Sequence, residues 1–497
     1  MDINMKLASL LSEIGISLPP DLRSAKVGSI TQNSNTAKED DLFVCLRGAR
    51  ADGHDFARAA YANGCRRFVA EQELDLPNDA SVWFVPDTHR ALGILACAFY
   101  NHPSRKMAVI GITGTKGKTS TAYLLAEILN GNRIPCGYIG TNGIQYGQVR
   151  MDSENTTPDA LTLQKTLSEM LAAGCTAAVL EVSSQSLLQE RVAGMTFDTC
   201  LFTNLSRDHI GPLEHPDLEN YIACKHRLFT DFGTRIAVAN LDDEMTPQML
   251  AGTTAEKIVR CSLKAPADYR AIDSVPYQTD AGFGQTVTLL HNHTAYSFRL
   301  PLIGTGNVSN ALLAVATAAE RFGVPLPSAV KQLESAKIPG RSEWFPLPTG
   351  AVAVIDYAHN EISMRQLLLS LRPLCKGNLI CLFGSVGERT KERRISLGTV
   401  AAEIADCCIL TSDNPGTEPP EQILDGIAAA FAGSDTPFVK IPDRAEAIRY
   451  AVRHSRAGDI LVLAGKGHET YQLIGRKKVP FSERKILQTL STADLTY

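Results

Sequence analysis

Residues Lys106–Asn130, KMAVIGITGTKGKTSTAYLLAEILN, restrict the possible folds of this chain more than any other stretch. A short apolar run, Met107 to Ile112, is interrupted by Gly111. After Lys118 the spacing becomes helical, with Ala122, Leu125, Ile128 and Leu129 on one side. Between the two lie Gly114, Thr115, Lys116, Gly117, Lys118, Thr119 and Ser120. A strand that enters a helix through a glycine turn aims several backbone N–H groups at one point, where the helix dipole also favours negative charge. Lys118 adds a mobile cation for outer phosphates, and the Thr119 hydroxyl can reach a magnesium ion. The run departs from G-x-x-x-x-G-K-[ST], because Ile112 holds the first glycine position. A structural turn capped by a lysine is the competing reading. The strand before and the helix after favour a nucleoside triphosphate site.

The rest of the chain alternates strand-like and helical runs, so the expected class is α/β with a mostly parallel sheet. Three domains are expected: a small mixed N-terminal domain over 1–103, a central phosphate-loop domain over 104–339, and a second α/β domain over 340–497. Apolar runs at Thr176–Val182, Phe197–Thr203 and Ile236–Asn240 read as central strands, and Asp268–Leu300 as a covering ribbon. In the third domain the runs are Ala351–Asp356, Asn378–Phe383, Cys407–Leu410 and Asp459–Leu463. Ligands of such sheets gather beyond the carboxyl ends of the strands. Glu181 and His209 stand there, and hard oxygen donors with one imidazole suit magnesium or manganese held jointly with phosphates. Facing loop edges on two α/β domains suggest a cleft that closes over substrates. In the first domain Asn33, Ser34, Asp52, Gly53 and His54 are polar turn residues that, from sequence alone, serve the turns themselves.

Composition excludes several classes. The 497 residues carry 49 Lys and Arg against 53 Asp and Glu, so a net charge of −4 gives no support to a nucleic-acid partner. No apolar run approaches membrane-spanning length, and the N-terminus lacks the pattern of a signal peptide. Leu7, Leu10, Leu11 and Ile14 there read as a short amphipathic helix. The 12 cysteines are scattered without a C-x-x-C, which reads as reduced thiols in a cytoplasmic protein. A monomer without membrane insertion is expected.

Taken in order, several motifs resemble the Mur ligase family, the cytosolic ATP-dependent enzymes that build the peptidoglycan stem peptide. They are Gly114–Thr119, Glu181-Val182-Ser183-Ser184, Asn204–His209, Tyr221–Phe229, Asn307 with Asn310, Gly340-Arg341, Asp356-Tyr357-Ala358-His359 and Asp413-Asn414-Pro415. The likeness spans almost the whole chain and is strongest to the branch that adds a diamino acid to UDP-N-acetylmuramoyl-L-alanyl-D-glutamate. It implies that Lys118 and Thr119 hold ATP phosphates and magnesium, with Glu181 and His209 as further metal ligands. Lys225 matches a lysine that is carbamylated in the family; without the resemblance it reads as a solvated helix lysine. Asn307, Arg341 and Asp356 match adenine and ribose contacts. Thr156, Thr157, Ser183, Gln185 and Arg191 match the nucleotide-sugar-peptide site, and Ser34 and His54 the uridine diphosphate grip. Gln185 stands where histidine is common, and Asn33-Ser34-Asn35 where Asp-Ser-Arg is common.

The implied chemistry is acyl activation: a carboxylate takes the γ-phosphoryl group of ATP, and an amine then displaces phosphate. Arg389, Asp413, Asn414, Gly465 and Glu469 match positions near the incoming amino acid, which would be L-lysine, meso-diaminopimelate or L-ornithine. Enzymes taking diaminopimelate typically carry Asp-Asn-Pro-Arg, whose arginine pairs with the distal carboxylate. Gly416 replaces it here, which tilts the expectation slightly towards lysine or ornithine. Competing readings are folylpolyglutamate synthase, a Mur-like ligase of specialised metabolism, and a phosphate-loop ATPase that acts through protein partners and makes no amide.

Overall fold

The computed structural model describes residues 5–48, 51–208, 210–211, 214–279, 282–388 and 390–492, with the backbone alone at 21, 491 and 492. Two compact units emerge. One comprises Met1–Arg270, His291–His293 and Ser309–Ala329; the other comprises Ala271–Leu290, Thr294–Val308 and Val330–Tyr497.

The first unit holds two main sheets beside a two-stranded antiparallel pair, Met5–Lys6 with Lys26–Val27. Near the N-terminus, strands Ile30–Thr31, Leu42–Val44, Arg67–Ala70 and Ser81–Phe84 pair in parallel in that order. Leu7, Leu10 and Leu11 of the helix Leu7–Ser12 are buried with Leu92, Leu95 and Ala96 of the helix Thr88–Phe99, so the apolar spacing of both helices closes one core. Phe43 and Phe68 pack with Ala57 and Ala60 in a second one.

The other main sheet of this unit is built around the phosphate-loop strand, Ala108–Thr113. Ala177–Glu181 pairs with it on one side and Thr199–Phe202 on the other, both in parallel. Cys136–Gly140 lies beyond the former, and Ile236–Asn240 and Lys257–Ser262 beyond the latter. Ala108–Thr113, Ala177–Glu181, Thr199–Phe202 and Ile236–Asn240 are buried along their whole length, as a covered parallel sheet requires, and Lys257–Ser262 is partly exposed. The chain leaves the central strand to one side and returns to the other, so the carboxyl end of Ala108–Thr113 is a topological switch point. An antiparallel hairpin, Gly143–Tyr146 with Val149–Met151, extends the edge and has no alternating pattern to mark it in the sequence.

In the second unit the strand order is Glu343–Pro346, Val352–Asp356, Ile460–Ala464, Leu379–Phe383, Cys407–Leu410 and Phe438–Lys440. All pairings are parallel except the first. Met364, Leu368, Leu397, Val400, Ile423 and Ile427 from three helices cover one face. Ala447, Ile448, Val452 and Leu487, from the helices Arg444–His454 and Glu483–Thr492, cover the other. The unit is therefore doubly wound. Strands Tyr269–Thr279, Gly282–His291 and Thr294–Leu300 lie side by side, as the ribbon reading expects.

All twelve cysteines are free thiols, and ten are buried. Burial pushes the Cys45, Cys97 and Cys200 thiols up to about 12.

Candidate active site

The phosphate loop is held by its own backbone and by the segment after the neighbouring strand. Gly114 has φ +146°, and a Cβ there would stand 1.9 Å from Thr203 Oγ1; Gly117 has φ +86°, with Asn310 Oδ1 2.3 Å from such a Cβ. Neither position admits a side chain. The Thr115 and Lys116 amides donate to Asn204 O (2.8 Å) and Asn204 Oδ1 (2.9 Å), and Asn204 Nδ2 donates to Lys116 O at 3.0 Å. Lys116 Nζ pairs with Asp208 at 3.0 Å. Gly117 then opens the helix Lys118–Gly131, so Lys118, Thr119 and Ser120 sit at the positive end of its dipole. Lys118 folds back, its Nζ donating to Gly114 O (2.8 Å) and Thr115 O (3.1 Å).

Beside this helix start lies a buried carboxylate. Glu181, the last residue of its strand, is fully buried. Its Oε1 accepts from Tyr138 OH at 2.6 Å and the Thr141 amide at 3.0 Å; its Oε2 accepts from Thr119 Oγ1 at 2.9 Å and Thr141 Oγ1 at 3.1 Å. Burial and the Glu181 charge hold the Tyr138 phenol well above its ordinary range. Thr119 and Glu181 thus offer hard oxygens in one place, a donor set that suits magnesium. His209 lies outside the described residues. Among the described residues, no three His, Cys, Asp or Glu side chains gather as a metal cluster.

Next to Glu181, Thr156 Oγ1 meets Thr141 Oγ1 at 3.0 Å, and Thr157 Oγ1 donates to Glu181 O at 2.8 Å and accepts from the Ser183 amide at 3.1 Å. Ser183 caps a short helix that contains half-buried Gln185. Arg191 Nη1 donates to Thr157 O at 2.7 Å, and burial lowers its pKa.

Lys225 departs most from its bottom-up reading as a solvated residue. Its side chain points into the protein at 1% exposure. The Nζ lies over the Tyr221 ring, 4.6 Å from the centroid, and donates to Gly114 O at 2.9 Å. Lys118 donates to the same carbonyl, so the two nitrogens are near neighbours. Burial, and then the Lys118 charge, hold the Lys225 amine well below the ordinary lysine value.

In the N-terminal sheet region, buried Ser34 accepts at its carbonyl from Asn63 Nδ2 at 2.8 Å. The His54 ring is engaged on both sides: Nδ1 meets Asp52 Oδ1 at 2.5 Å, and Nε2 accepts from the Glu71 amide at 3.0 Å. The ring therefore fixes the Asp52–Phe56 turn.

The second unit gathers its polar residues where its parallel strands end. Asp356 accepts from the Ser342 amide at 2.8 Å and the Ala358 amide at 2.9 Å; burial pushes its carboxyl up, against Arg341. The Arg341 guanidinium lies 4.9 Å from the Tyr357 ring centroid. Asn307 Nδ2 donates to Ile303 O at 2.8 Å. Asp413, Asn414, Gly465 and Glu469 come together around Lys466, which sequence reasoning did not single out. The Lys466 Nζ, fully buried, donates to Asn414 Oδ1 at 2.8 Å and Glu469 Oε2 at 2.5 Å, with Asp413 Oδ1 at 3.6 Å. Burial pushes the Asp413 carboxyl up, with Lys466 opposing. Arg389 lies outside the described residues. Tyr138 and Thr141 carry no local signal, and Lys466 is marked only by its place in a polar loop after a strand; the fold alone aims all three at their partners.

Among the described residues, no helix is long and apolar enough to cross a membrane. The family descriptions that match are the Mur ligase middle domain over residues 112–318, the Mur ligase glutamate ligase domain over 340–467, and the Mur ligase family catalytic domain over 26–100. UDP-N-acetylmuramoyl-L-alanyl-D-glutamate--2,6-diaminopimelate ligase of Bacillus cereus is 36% identical over 99% of this chain and 99% of its own length. The protein of the same name from Thermosynechococcus vestitus is 38% identical, covering 93% of this chain and 92% of its own. A solved structure of such a ligase aligns with TM-score 0.70 at 31% identity, covering 98% and 99% of the two chains. Mycobacterium tuberculosis folylpolyglutamate synthase aligns with TM-score 0.63 at 17% identity, covering 76% of this chain and 91% of that one, a likeness of fold alone. Full-length relatedness at over a third identity, joined to matches along all three segments, makes this chain a ligase that belongs to the Mur ligase family.

Proposed function

We propose that the protein is an ATP-dependent ligase of peptidoglycan precursor synthesis. It joins a diamino acid to the D-glutamyl γ-carboxylate of UDP-N-acetylmuramoyl-L-alanyl-D-glutamate. The observation that carries this reading is the meeting of the helix start, two lysine amines and the Thr119–Glu181 oxygens beyond the strand Ala108–Thr113.

In the first step the γ-carboxylate attacks the γ-phosphorus, the bond to ADP breaks, and an acyl phosphate forms. Two anions must meet, so Lys118 and the amides at the start of its helix bear the developing charge. Thr119, Glu181 and His209 would hold a magnesium ion, which screens phosphate charge when bound. Lys225 suits carbamylation because only a neutral amine attacks carbon dioxide. At pH 7 an ordinary lysine is neutral to only about 0.04%, and the depressed pKa of Lys225 enlarges that fraction. In the second step the amine attacks the acyl carbonyl, phosphate leaves, and the amine proton is released.

The remaining roles follow the family. Gly114–Ser120, Asn307, Arg341 and Asp356 take ATP. Thr156, Thr157, Ser183, Gln185 and Arg191 take the sugar-peptide. Ser34 and the turn fixed by His54 take uridine diphosphate. Arg389, Asp413, Asn414, Gly465 and Glu469 take the amino acid. The domain limits 1–103, 104–339 and 340–497, a cytoplasmic location and a monomeric state belong to the same proposal.

The relatives are 2,6-diaminopimelate ligases by name, which supports meso-diaminopimelate as the amino acid. Gly416 favours a second reading, L-lysine or L-ornithine. Its φ is +61°, and a Cβ there would stand 3.1 Å from Glu388 Oε1, so a carboxylate lines the spot where an arginine would begin. The test is phosphate release with ATP, magnesium and UDP-N-acetylmuramoyl-dipeptide, each amino acid being offered separately. Release with at least one is expected, and its identity chooses between the readings. Release with none would refute the assignment.

A further inference from the structure

Arg444 opens the helix Arg444–His454, a place where an arginine ordinarily reaches solvent, yet it is fully buried. Its Nε and Nη2 both lie 2.8 Å from Glu483 Oε1. Nη2 also donates to Ala464 O at 2.9 Å, and Nη1 to Ser412 O at 3.2 Å. Those two carbonyls immediately precede Gly465 and Asp413. Their strands, Ile460–Ala464 and Cys407–Leu410, are not neighbours, because Leu379–Phe383 runs between them. Direct strand pairing therefore does not set the position of one loop against the other. The guanidinium bridges the two, and two direct bonds cross the same gap, Lys466 Nζ to Asn414 Oδ1 at 2.8 Å and Asn414 Nδ2 to Glu469 Oε2 at 3.0 Å.

Stability alone does not account for this arrangement. A buried ion pair replaced by apolar groups of similar volume is often as stable. Glu483 Oε2 is moreover buried with no hydrogen-bond partner among the described residues, so the pair is not built for maximal pairing. Glu483 belongs to the helix Glu483–Thr492, beyond the matched segment 340–467.

We propose that Arg444, held by Glu483, is a positioning residue that fixes the loops Ser412–Gly416 and Gly465–Glu469 against each other for the incoming amino acid. This inference rests on the reading above, in which those loops take the amino acid.

Its test uses the full chain with Arg444→Lys, which keeps the charge but loses the fork, and Glu483→Gln, which keeps an acceptor. Amide hydrogen exchange is followed in both loops. KM is measured for ATP, UDP-dipeptide and whichever amino acid supports turnover, and hydroxylamine traps the acyl phosphate without using the amino-acid site. In Arg444→Lys, exchange is expected to rise in both loops together, and KM for the amino acid at least tenfold. The other two KM values and the hydroxamate yield should stay within twofold. Glu483→Gln follows with a rise of about threefold in amino-acid KM, and it carries the test if Arg444→Lys fails to fold. Unchanged exchange, exchange rising in one loop only, or a fall in kcat with every KM unchanged would overturn the proposal. Should the wild type show no turnover with any amino acid, the functional reading falls, while the exchange result still decides whether Arg444 couples the loops.

Discussion

Thr119→Val separates a catalytic task from a structural one at the phosphate loop. Valine nearly matches threonine in size, so no cavity opens, and what is lost is the hydroxyl that donates to Glu181 Oε2 at 2.9 Å. A hydrogen bond to a charged group contributes about 1.5–3 kcal/mol. Oε2 keeps its bond from Thr141 Oγ1 at 3.1 Å, and Oε1 keeps both of its own, so the carboxylate is not orphaned. The stability cost should therefore fall near the lower figure, about 1–2 kcal/mol. On the role proposed for Thr119, turnover faces a larger loss, because the hydroxyl would be offered to a magnesium ion that meets the transferring phosphate. Removing one such group costs on the order of 10²–10³ in kcat. The assay is ADP release across a magnesium titration, paired with thermal unfolding, and Thr119→Ser should restore turnover to within about tenfold. A Thr119→Val enzyme within threefold of wild-type kcat at saturating magnesium would refute the reasoning, as would a loss that merely tracks the unfolded fraction.

Three further substitutions test neighbouring claims. Lys225→Ala should abolish turnover and regain part of it with a short added carboxylic acid; no regain at any concentration contradicts carbamylation. Lys225→Met should also remove a pH dependence of stability. In carbonate-free buffer, where Lys225 is a free amine with its folded pKa lowered, wild-type stability rises as pH climbs from that value towards the ordinary lysine value, because the unfolded chain there binds more protons; denaturant midpoints against pH should lose this rise in the variant. Gly416→Arg should cost about 1–2 kcal/mol, since a side chain enters left-handed backbone. Its guanidinium should pair with Glu388 and leave the kcat/KM ratio for diaminopimelate over lysine within threefold; a tenfold gain would refute the account of that loop.

Local pattern revealed the strands that are buried on both faces. Ile236–Asn240 and Cys407–Leu410 have the bounds their apolar runs suggest, and Ala177–Glu181 is one residue shorter at each end. The hairpin Gly143–Tyr146 with Val149–Met151 escaped notice because its outer strand is exposed throughout and no alternation marks it. The same limit governs the site. The phosphate loop is contiguous, so its purpose can be read from spacing alone. Glu181 follows from its place at a strand end. Lys225 sits in a helix whose sequence gives no hint that this one lysine turns inward, and only the family resemblance assigns it a role. Arg444 and Glu483 lie far apart in the chain, and nothing in either neighbourhood announces the other.

The burial of the thiols bears on how the protein can be handled. With Cys45, Cys97 and Cys200 held near 12, almost none of these sulfurs is thiolate at neutral pH, and alkylating probes react with thiolates. Ten of the twelve native cysteines are hidden, leaving Cys375 and Cys407 as the partly accessible pair. Replacing those two by serine should leave a background dark enough for a dye placed at a chosen surface position to report on substrate binding by itself.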